Sequence, residues 1–588
     1  MKKLLIFPVF AFMLACGGPK SDDGQGVPSP DNAFTILKDN FIEELWTLYP
    51  GWASSQGYHK YDHLLVINDE AFRTKEAEFV KDWLAKLNEF DPEKLSPSDR
   101  TDYLLIKNQL ESGTFYNNEF KSYEWDPSSY NVGSAFGEII NGSYAPIGER
   151  MKSLLEKLGA VPTYYNNAKK QLKTPTLEHT DLAISQNRGS LGLFNKDLLD
   201  SCTKAQFTAE QKAEFETRMK AAVSAIEDYA NWLEKEVKPK LAANGKSFRI
   251  GKDLFETKFA FEIQSKYKAE EIYQKALQHK KELHGEMFKI TTQLWPKYFA
   301  KEKMPSDSLV AIRQMIDKLS LKHSKPENFQ QDIERQIPQL AAFVKEKDLL
   351  YLDPSKPLEV RKEPAYMAGV AGASISAPGP YDKDAKTYYN VGSMAAYSKE
   401  QAESYLREYN DYILQILNIH EAIPGHYAQL VYSNQSPSLV KSILGNGAMV
   451  EGWAVYTERM MIESGYGNNE PEMWLMYYKW NLRATCNTIL DYSIHCLNLS
   501  EKEALDLMMR QAFQQEAEAK GKWRRATLTQ VQLSSYFTGF TEIYEFREDQ
   551  KKALGDKFSL KTFHEKFLSY GSAPVKFIRE LMEKETEE

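Results

Sequence analysis

The chain has 588 residues, of which 42% are hydrophobic and 27% are charged, and its formal net charge is -8. This length exceeds what one ordinary hydrophobic core supports, so two lobes or one large helical body are expected. The small negative charge gives no sign of a basic face, which argues against nucleic acid as the main partner.

The N-terminus is predicted to be an export signal. Lys2 and Lys3 precede an apolar run at residues 4–15 that is too short to stay in a bilayer as a spanning helix. The end of this run, Met13-Leu14-Ala15-Cys16, looks like a lipoprotein cleavage site. Residues 1–15 are therefore predicted to be a signal peptide, with Cys16 as the lipidated residue.

Residues 16–33 are rich in Gly, Pro, Ser and Asp, which predicts a flexible tether between the lipid and the folded body. A lipid on Cys16 would hold the protein at a membrane face, with the folded body outside the cytoplasm. The expected location is the cell envelope of a bacterium, on a periplasmic or a surface-exposed face. The sequence does not determine the oligomeric state.

The first half of the folded chain, residues 34–295, is predicted to be an almost wholly helical lobe. Apolar residues recur three and four positions apart, with charged faces between them. The predicted helices cover residues 34–49, 69–90, 99–112, 146–172, 209–243 and 270–295.

Residues 296–588 are predicted to form the second lobe, which carries the catalytic residues. Helices are predicted at residues 306–319 and 329–346, and a short strand at residues 387–391. The predicted fold class is therefore mostly α, with one small β element.

Another helix is predicted to begin at Ser398, which with Gln401 fits a capping box. Its apolar face continues through Leu417 to His420. A single histidine on such a face is more often a core residue than a ligand, so His420 alone does not predict a metal site.

The residues after His420 change this interpretation. His420 and His426 are six positions apart, about 600° around a regular helix, so they would diverge on an unbroken helix. Pro424 removes a backbone donor and Gly425 permits an unusual backbone angle, so the helix can stop and restart here. We expect a break between Ile423 and His426 that brings both imidazoles to one metal.

A carboxylate beside the histidines completes the pattern of a zinc hydrolase. Glu421 stands where a general base could take a proton from the attacking water. In the next predicted helix, residues 447–463, Glu451 is predicted to be the third ligand of one Zn²⁺. Glu458, two turns further along the same face, is a candidate partner that orients a histidine ligand. The alternative is that Glu451 and Glu458 are ordinary exposed helix residues.

A third predicted helix, residues 474–497, carries polar residues at strict four-residue spacing. The members of this ladder are Arg483, Asn487, Asp491 and His495. Either the ladder is a buried polar network or it faces the metal cleft. In the second case Arg483 would bind substrate, Asp491 would orient a neighbour and His495 would donate to an oxyanion, with Tyr536 as a candidate partner in that role.

These motifs together resemble a known family. The chain is similar to the domain of unknown function 885 family, whose members are bacterial, are often lipoproteins and are related to helical zinc peptidases with a glutamate ligand. The matching segments are Pro50 through Tyr61-Asp62, Tyr388-Tyr389-Asn390, His420-Glu421-Ala422-Ile423-Pro424-Gly425-His426, Glu451-Gly452-Trp453-Ala454, Asp491 through His495, Phe563-His564-Glu565 and Gly571. The resemblance covers essentially all of the mature chain.

The resemblance implies a mostly helical zincin-like body of two lobes around a deep channel. It also implies that His420, His426 and Glu451 hold the metal and that Glu421 is the base. By analogy with helical zinc peptidases, Tyr389 and Asn390 would lie beside the substrate on an edge strand. The chain departs from the family pattern at Tyr427, where a second histidine is common, and at Ala526, where a tyrosine is common.

Other chemistries lack their motifs. Gly245-Lys246-Ser247 matches only the end of a phosphate-binding loop, and the sequence contains no GxSxG. Beyond Cys16, the cysteines are odd in number and form no CxxC pair, which argues against a disulfide framework and a cysteine zinc site.

The sequence predicts a zinc metallopeptidase that acts on short peptides. Two alternatives remain open. One is a lipoprotein with a zincin shell that binds but does not catalyse, although such a protein would not need Glu421. The other is a hydrolase of non-peptide amides.

Overall fold

The computed structural model describes residues 30–587, apart from residues 364–372, 383–384 and 396. Helices make up most of this part of the chain, and its sheet has three short strands. The predicted mostly-α fold is therefore confirmed. The predicted signal peptide and Cys16 lie outside the described residues. The predicted tether is too long at its end, because the first helix already begins at Pro30.

Twelve helices form the part of the chain that ends at Glu262. They are α1 (Pro30–Leu48), α2 (Pro50–Ser55), α3 (Glu70–Leu87), α4 (Pro97–Phe115), α5 (Ser122–Trp125), α6 (Gly133–Asn141), α7 (Ile147–Gln171), α8 (Leu177–Ser190), α9 (Lys196–Lys204), α10 (Ala209–Trp232), α11 (Lys238–Asn244) and α12 (Lys252–Glu262).

Fourteen helices follow in the described remainder of the chain. They are α13 (Ala269–Phe299), α14 (Ser308–Leu319), α15 (Phe329–Glu346), α16 (Lys399–Glu408), α17 (Asp411–Glu421), α18 (His426–Gln435), α19 (Leu439–Ile443), α20 (Gly447–Glu463), α21 (Pro471–Leu497), α22 (Glu501–Asp506), α23 (Glu516–Leu528), α24 (Ser535–Leu554), α25 (Leu560–Ser569) and α26 (Val575–Glu587).

The predicted helices are present, and side-chain caps fix several of their ends. Ser398 and Gln401 form the predicted capping box at the start of α16. The helix expected to run on to His420 is nevertheless two helices. Asn410 interrupts it, because its side chain accepts hydrogen bonds from the backbone of Tyr412 and Ile413 and so starts α17.

The sheet consists of β1 (Leu358–Lys362), β2 (Ala373–Ser376) and β3 (Thr387–Val391), in the order β1-β3-β2. The strand predicted at residues 387–391 is confirmed as β3. β3 pairs in parallel with β1 and in antiparallel fashion with β2, so it is the central strand. The expectation that Tyr389 and Asn390 lie on an edge strand is therefore wrong.

The buried apolar side chains form one large core and smaller ones. The large core extends from Phe255 to Met582, whereas a separate core joins residues between Tyr130 and Leu233. Leu294 and Trp295 belong to the large core, so the lobe boundary expected at residue 295 does not coincide with a change of core. No helix among the described residues is both long and apolar enough to cross a membrane.

Helices α20 and α24 pack closely in the large core, and glycines permit this contact. A Cβ atom on Gly539 would lie 1.7 Å from the carbonyl oxygen of Ala448, and one on Gly452 would lie 2.3 Å from the Cα of Gly539. No side chain larger than hydrogen fits at either position without moving a backbone. This contact fixes the helix that carries Glu451.

We expect Gly539→Ala to destabilise the protein by at least about 3 kcal/mol or to prevent folding, because overpacking at a backbone contact cannot relax locally. Gly521→Ala is the matched control, since Gly521 lies in α23 and an added Cβ would meet no atom within 4 Å. The control should be neutral or stabilising by up to about 1 kcal/mol. Thermal unfolding followed by circular dichroism measures both, and equal stability of the two variants would contradict this account of the packing.

Candidate metal centre

The predicted interruption between the two histidines is present in the backbone. Helix α17 ends at Glu421 and α18 begins at His426, so the break starts one residue earlier than expected, at Ala422. The amide of Gly425 donates to the carbonyl of Ile419 across the turn. A Cβ on Gly425 would lie 1.9 Å from the carbonyl oxygen of His420, so only glycine fits here.

The turn brings together the three side chains predicted to hold a metal. His420 Nε2 lies 3.8 Å from Glu451 Oε2, and His426 Nε2 lies 3.4 Å from the same oxygen. One ligand atom from each residue can be chosen so that all three lie within 4.8 Å of one another. The three side chains, which we call the ligand trio, are largely shielded from solvent.

The geometry of the ligand trio fits a zinc ion. Ligand atoms about 2.1 Å from a tetrahedral zinc lie about 3.4 Å apart, close to the separations between the histidine nitrogens and Glu451. Two imidazoles and one carboxylate also match the ligand types of a catalytic zinc site, which leaves a fourth position for substrate or water.

Glu458 holds the ring of His420 from behind. His420 Nδ1 lies 2.6 Å from Glu458 Oε1, so Nε2 is left to face the trio. The indole nitrogen of Trp480 donates to the same Glu458 oxygen at 2.9 Å. Burial raises the pKa of Glu458 well above its usual value. Glu458 is thus hydrogen-bonded to His420, and its role in orienting a metal ligand stays a prediction.

The pKa values of the three trio residues are shifted in different directions. Burial, and then His426, lower the pKa of His420 to about 4. Burial also lowers the pKa of His426, but its hydrogen bond with Glu451 and the charges of Glu451, Glu421 and Glu458 together outweigh this and raise it. Burial raises the pKa of Glu451, yet His426, His420 and Arg525 together lower it. A neutral His420 and an ionised Glu451 are the forms that bind a metal.

Glu421, the predicted base, is partly buried beside the trio at the end of α17. Burial raises the pKa of Glu421, although His426 and His420 partly oppose this. A raised pKa suits a carboxylate that must accept and return a proton near neutral pH.

Trp453 links the turn to α20. Its indole nitrogen donates to the carbonyl of Pro424 at 2.9 Å, and its ring stacks on Phe567. The neighbouring Gly452 allows the approach of α24. The segment from Glu451 to Trp453 therefore supplies one trio member, one hydrogen bond that holds the turn between the two histidines, and the close contact with α24.

Tyr536 and Arg525 border the trio on another side. Nη2 of Arg525 donates a hydrogen bond to the Tyr536 hydroxyl oxygen, 3.0 Å away. Burial, and then the charge of Glu451, raise the pKa of Tyr536. Tyr536 was predicted as an oxyanion donor and does lie near Glu451. Arg525, which precedes Ala526 in the sequence, was not predicted to lie near the trio.

Asp491 bonds the chain segment that precedes α24 rather than a residue of the trio. Its carboxylate accepts hydrogen bonds from the backbone of Val531 and Ser534 and from the Ser534 hydroxyl, at 3.2, 3.0 and 2.8 Å. These bonds hold the segment that begins α24, which carries Tyr536. Asp491 therefore does not contact a histidine of the trio, and its effect on the site is indirect.

Arg483 lies on the metal side of α21. Its guanidinium bonds Glu518 and lies over the ring of Trp480, with 4.7 Å from the guanidinium carbon to the ring centroid. Its charge is among the influences that lower the pKa of His420, after burial and His426. Arg483 is thus bonded within the protein, and its role in substrate binding stays a prediction.

The prediction that His495 donates to an oxyanion is wrong. His495 is twelve residues from Arg483, about 18 Å along α21. Its Nε2 donates to the carbonyls of Ala526 and Thr529, and its ring packs against Phe255. The ladder is therefore a buried network at its His495 end and reaches the metal side only at Arg483.

Tyr389 and Asn390 are both bonded within the protein. The Tyr389 hydroxyl donates to Asn418 at 2.8 Å, and Asn390 bonds the side chains of Arg361 and Ser376 at 2.7 Å each. Both residues are fully buried. Direct contact with substrate is therefore not supported for either, and they instead join the central strand to α17 and to the outer strands.

Two side chains near the centre were not predicted from the sequence. Trp480 fixes Glu458, and Lys522 lies beside Arg483 and Glu518. Glu518, Lys522 and Arg525 are four and then three positions apart, so their spacing on one helix face was a usable signal.

The fold and the site together define a mostly-α protein with a buried cluster of two histidines and one glutamate. Residues 50–582 match the family described as "Bacterial protein of unknown function (DUF885)". The chain belongs to this family, as its motifs indicated.

Two solved structures are similar to this chain. One is "a putative lipoprotein of unknown function" from Shewanella oneidensis, 55% identical, with a TM-score of 0.85 over 93% of this chain and 99% of that one. The other, a "putative lipoprotein" from Colwellia psychrerythraea, is 17% identical, with a TM-score of 0.76 over 95% of this chain and 100% of that one, and shows the fold alone. Comparison with curated proteins gave no match.

The environment of His495 predicts a pH dependence of stability. Burial lowers the pKa of His495 to about 4, from 6.5 for an ordinary histidine. Its stabilising contribution is therefore complete above pH 6.5 and is lost as the pH falls from 6.5 to about 4, since the unfolded chain then binds a proton that the folded chain does not.

Between pH 7 and pH 5, the unfolding free energy of the wild type should fall by about 2 kcal/mol more than that of His495→Gln. Urea unfolding across this pH range measures the difference. Identical slopes for the two proteins would contradict the assignment of His495 as a buried neutral group.

Proposed function

We propose that the protein is a zinc-dependent hydrolase whose substrates are peptides. The observation that carries the proposal is the convergence of His420 Nε2, His426 Nε2 and the Glu451 carboxylate beside the partly buried Glu421. A purely structural zinc site usually has four protein ligands, whereas three ligands and an adjacent carboxylate are typical of a hydrolytic site.

The ligand trio would hold one zinc ion, with Glu458 fixing the ring of His420. When bound, zinc polarises a carbonyl and lowers the pKa of water. The chain itself would supply the proton transfers. Glu421 would accept a proton from the attacking water and return it to the departing amine.

Tyr536 would stabilise the charge that develops on the substrate carbonyl oxygen. Its hydroxyl lies near Glu451 and already accepts a hydrogen bond from Arg525, which orients it. A hydroxyl held in this way can donate its own hydrogen to an oxyanion.

The substrate would lie along β2 rather than along β3. β2 is at an edge of the sheet and packs against α17, which carries His420. An extended peptide can add to such an edge through backbone hydrogen bonds. Tyr389 and Asn390 would then support the sheet from its centre.

Attachment to the envelope through a lipid on Cys16 is part of the proposal. It is supported by the sequence around Cys16 and by the lipoprotein description of the similar structure from Shewanella oneidensis. The partner at that end would be the membrane, while the hydrolytic body works outside the cytoplasm on short peptides.

The test compares the wild type with Glu421→Gln on a broad peptide library that also contains non-peptide amides. Zinc content is measured on both proteins by elemental mass spectrometry. We expect one zinc per chain in each, and hydrolysis by the wild type that falls by at least about 100-fold in the variant, because Gln cannot accept the proton. If both hold one zinc and neither cleaves any compound, a binding lipoprotein is favoured. Cleavage of non-peptide amides alone would reassign the substrate.

Glu458→Ala should weaken zinc binding by about 10- to 100-fold, since His420 loses the group that fixes its ring. Glu463→Gln is the control on the same helix, because Glu463 bonds Arg459 and Arg547 rather than a histidine. Zinc affinity is measured by competition with a chelating dye. An unchanged affinity in Glu458→Ala would refute the orienting role.

A further inference from the structure

A group of three cations lies next to the ligand trio, and one carboxylate, that of Glu518, bonds one of them. Arg483, Lys522 and Arg525 share Glu518, which bonds Arg483 directly. Glu408 is also near, but its carboxylate already pairs with Lys479 at 2.8 Å. We call Arg483, Lys522 and Arg525 the cation cluster.

Lys522 has no complete partner in the described part of the chain. Its residue is only 6% exposed, its ammonium forms no hydrogen bond there, and the one carboxylate within 4.0 Å is Glu518, at 4.0 Å. Burial, and then the charge of Arg483, lower the pKa of Lys522 to about 7. A largely buried ammonium with no bonded anion is unfavourable, and an anion that binds there would relieve this cost.

The cation cluster extends from the metal side of α21 to the edge of the trio. Arg525 bonds Tyr536 and its charge acts on Glu451, after the larger effects of burial and the two histidines. Arg483, at the other end, acts on His420. Lys522 lies one helical turn from Arg525 on the same face of α23. A substrate held at the trio therefore has this cluster beside it.

We propose that the cation cluster is a subsite for a carboxylate of the substrate, with Lys522 and Arg525 as the groups that bind it. The carboxylate is either the C-terminus of a peptide or an acidic side chain. The inference rests on the proposed function for the position of the scissile bond, but binding at the subsite does not require hydrolysis. If the C-terminus is the source, the enzyme removes residues from the C-terminal end of short peptides.

Binding is tested with full-length protein carrying Glu421→Gln and loaded with zinc. Three matched libraries of N-acetylated tetrapeptides are used: free acids, C-terminal amides without Asp or Glu, and C-terminal amides with one Asp or Glu. Peptides retained by the protein are counted by mass spectrometry. We expect the neutral amides to be retained at least about 10-fold less than the free acids or than the acidic amides, and the better of these two identifies the source of the carboxylate.

Substitutions in the cation cluster test whether it binds the carboxylate, and control variants show whether a loss of binding is due to unfolding. Lys522→Gln and Arg525→Gln should each remove most of the preference for carboxylate, because each deletes one cation. Lys520→Gln and Arg524→Gln are the matched controls, since these neighbours lie on the exposed face of the same helix. The controls should keep the preference, and thermal unfolding checks that all four variants are folded.

Equal retention of the three libraries, retention of none, or a preference that survives both cluster substitutions would overturn the subsite. These outcomes are distinct from failure of the proposed function. If the wild type hydrolyses nothing but the Lys522-dependent preference is present, the subsite stands and the protein is a binder of carboxylates. If the wild type hydrolyses acids and amides equally, the hydrolase stands and the subsite fails.

Discussion

The arrangement of the metal side depends on a turn of four residues between two helices. Without it, His420 and His426 would point to different sides of one helix, because six residues correspond to about 600° of rotation. The turn is possible because Gly425 has no Cβ to meet the carbonyl of His420. It is held in place because Trp453 donates to Pro424. A substitution in this turn would therefore move the imidazole of His426, even though it replaces none of the three ligand residues.

Helix α21 supports the site along its length through polar groups within the core. Trp480 fixes the carboxylate that orients His420, Arg483 joins α23, and Asp491 holds the segment that leads to Tyr536. Such groups are buried at a cost that only complete hydrogen bonding offsets. One helix thus positions both the metal side and the cation cluster, although it contributes no member of the ligand trio.

Sequence patterns were sufficient where local chemistry decides the structure. Apolar periodicity gave most helices, the capping box at Ser398 gave the start of α16, and the pair Pro424-Gly425 gave the break that joins His420 to His426. The seven-residue spacing of Glu451 and Glu458 placed both on one face, where they meet opposite nitrogens of His420. These features depend on residues close together in the chain.

Contacts between elements that are distant in sequence could not be predicted in the same way. The four-residue ladder on α21 suggested that His495 faces the metal. The ladder is about 18 Å long, however, so its two ends contact different parts of the protein. β3 was expected at an edge by analogy with helical zinc peptidases, and the short sequence of β2 has no strong pattern that would reveal the strand beside it. Trp480 and Lys522 matter because of helices distant in sequence. The spacing of Glu518, Lys522 and Arg525 places them on one face of α23, but no periodicity within one helix identifies the residues that this face contacts.

The most direct test of the account is a crystal structure of the zinc-loaded protein with anomalous data collected on both sides of the zinc absorption edge. The account predicts one zinc peak about 2.0–2.2 Å from His420 Nε2, His426 Nε2 and a carboxylate oxygen of Glu451, with the helix still interrupted at residues 422–425. A zinc ion bound elsewhere, or bound without His426, would contradict it.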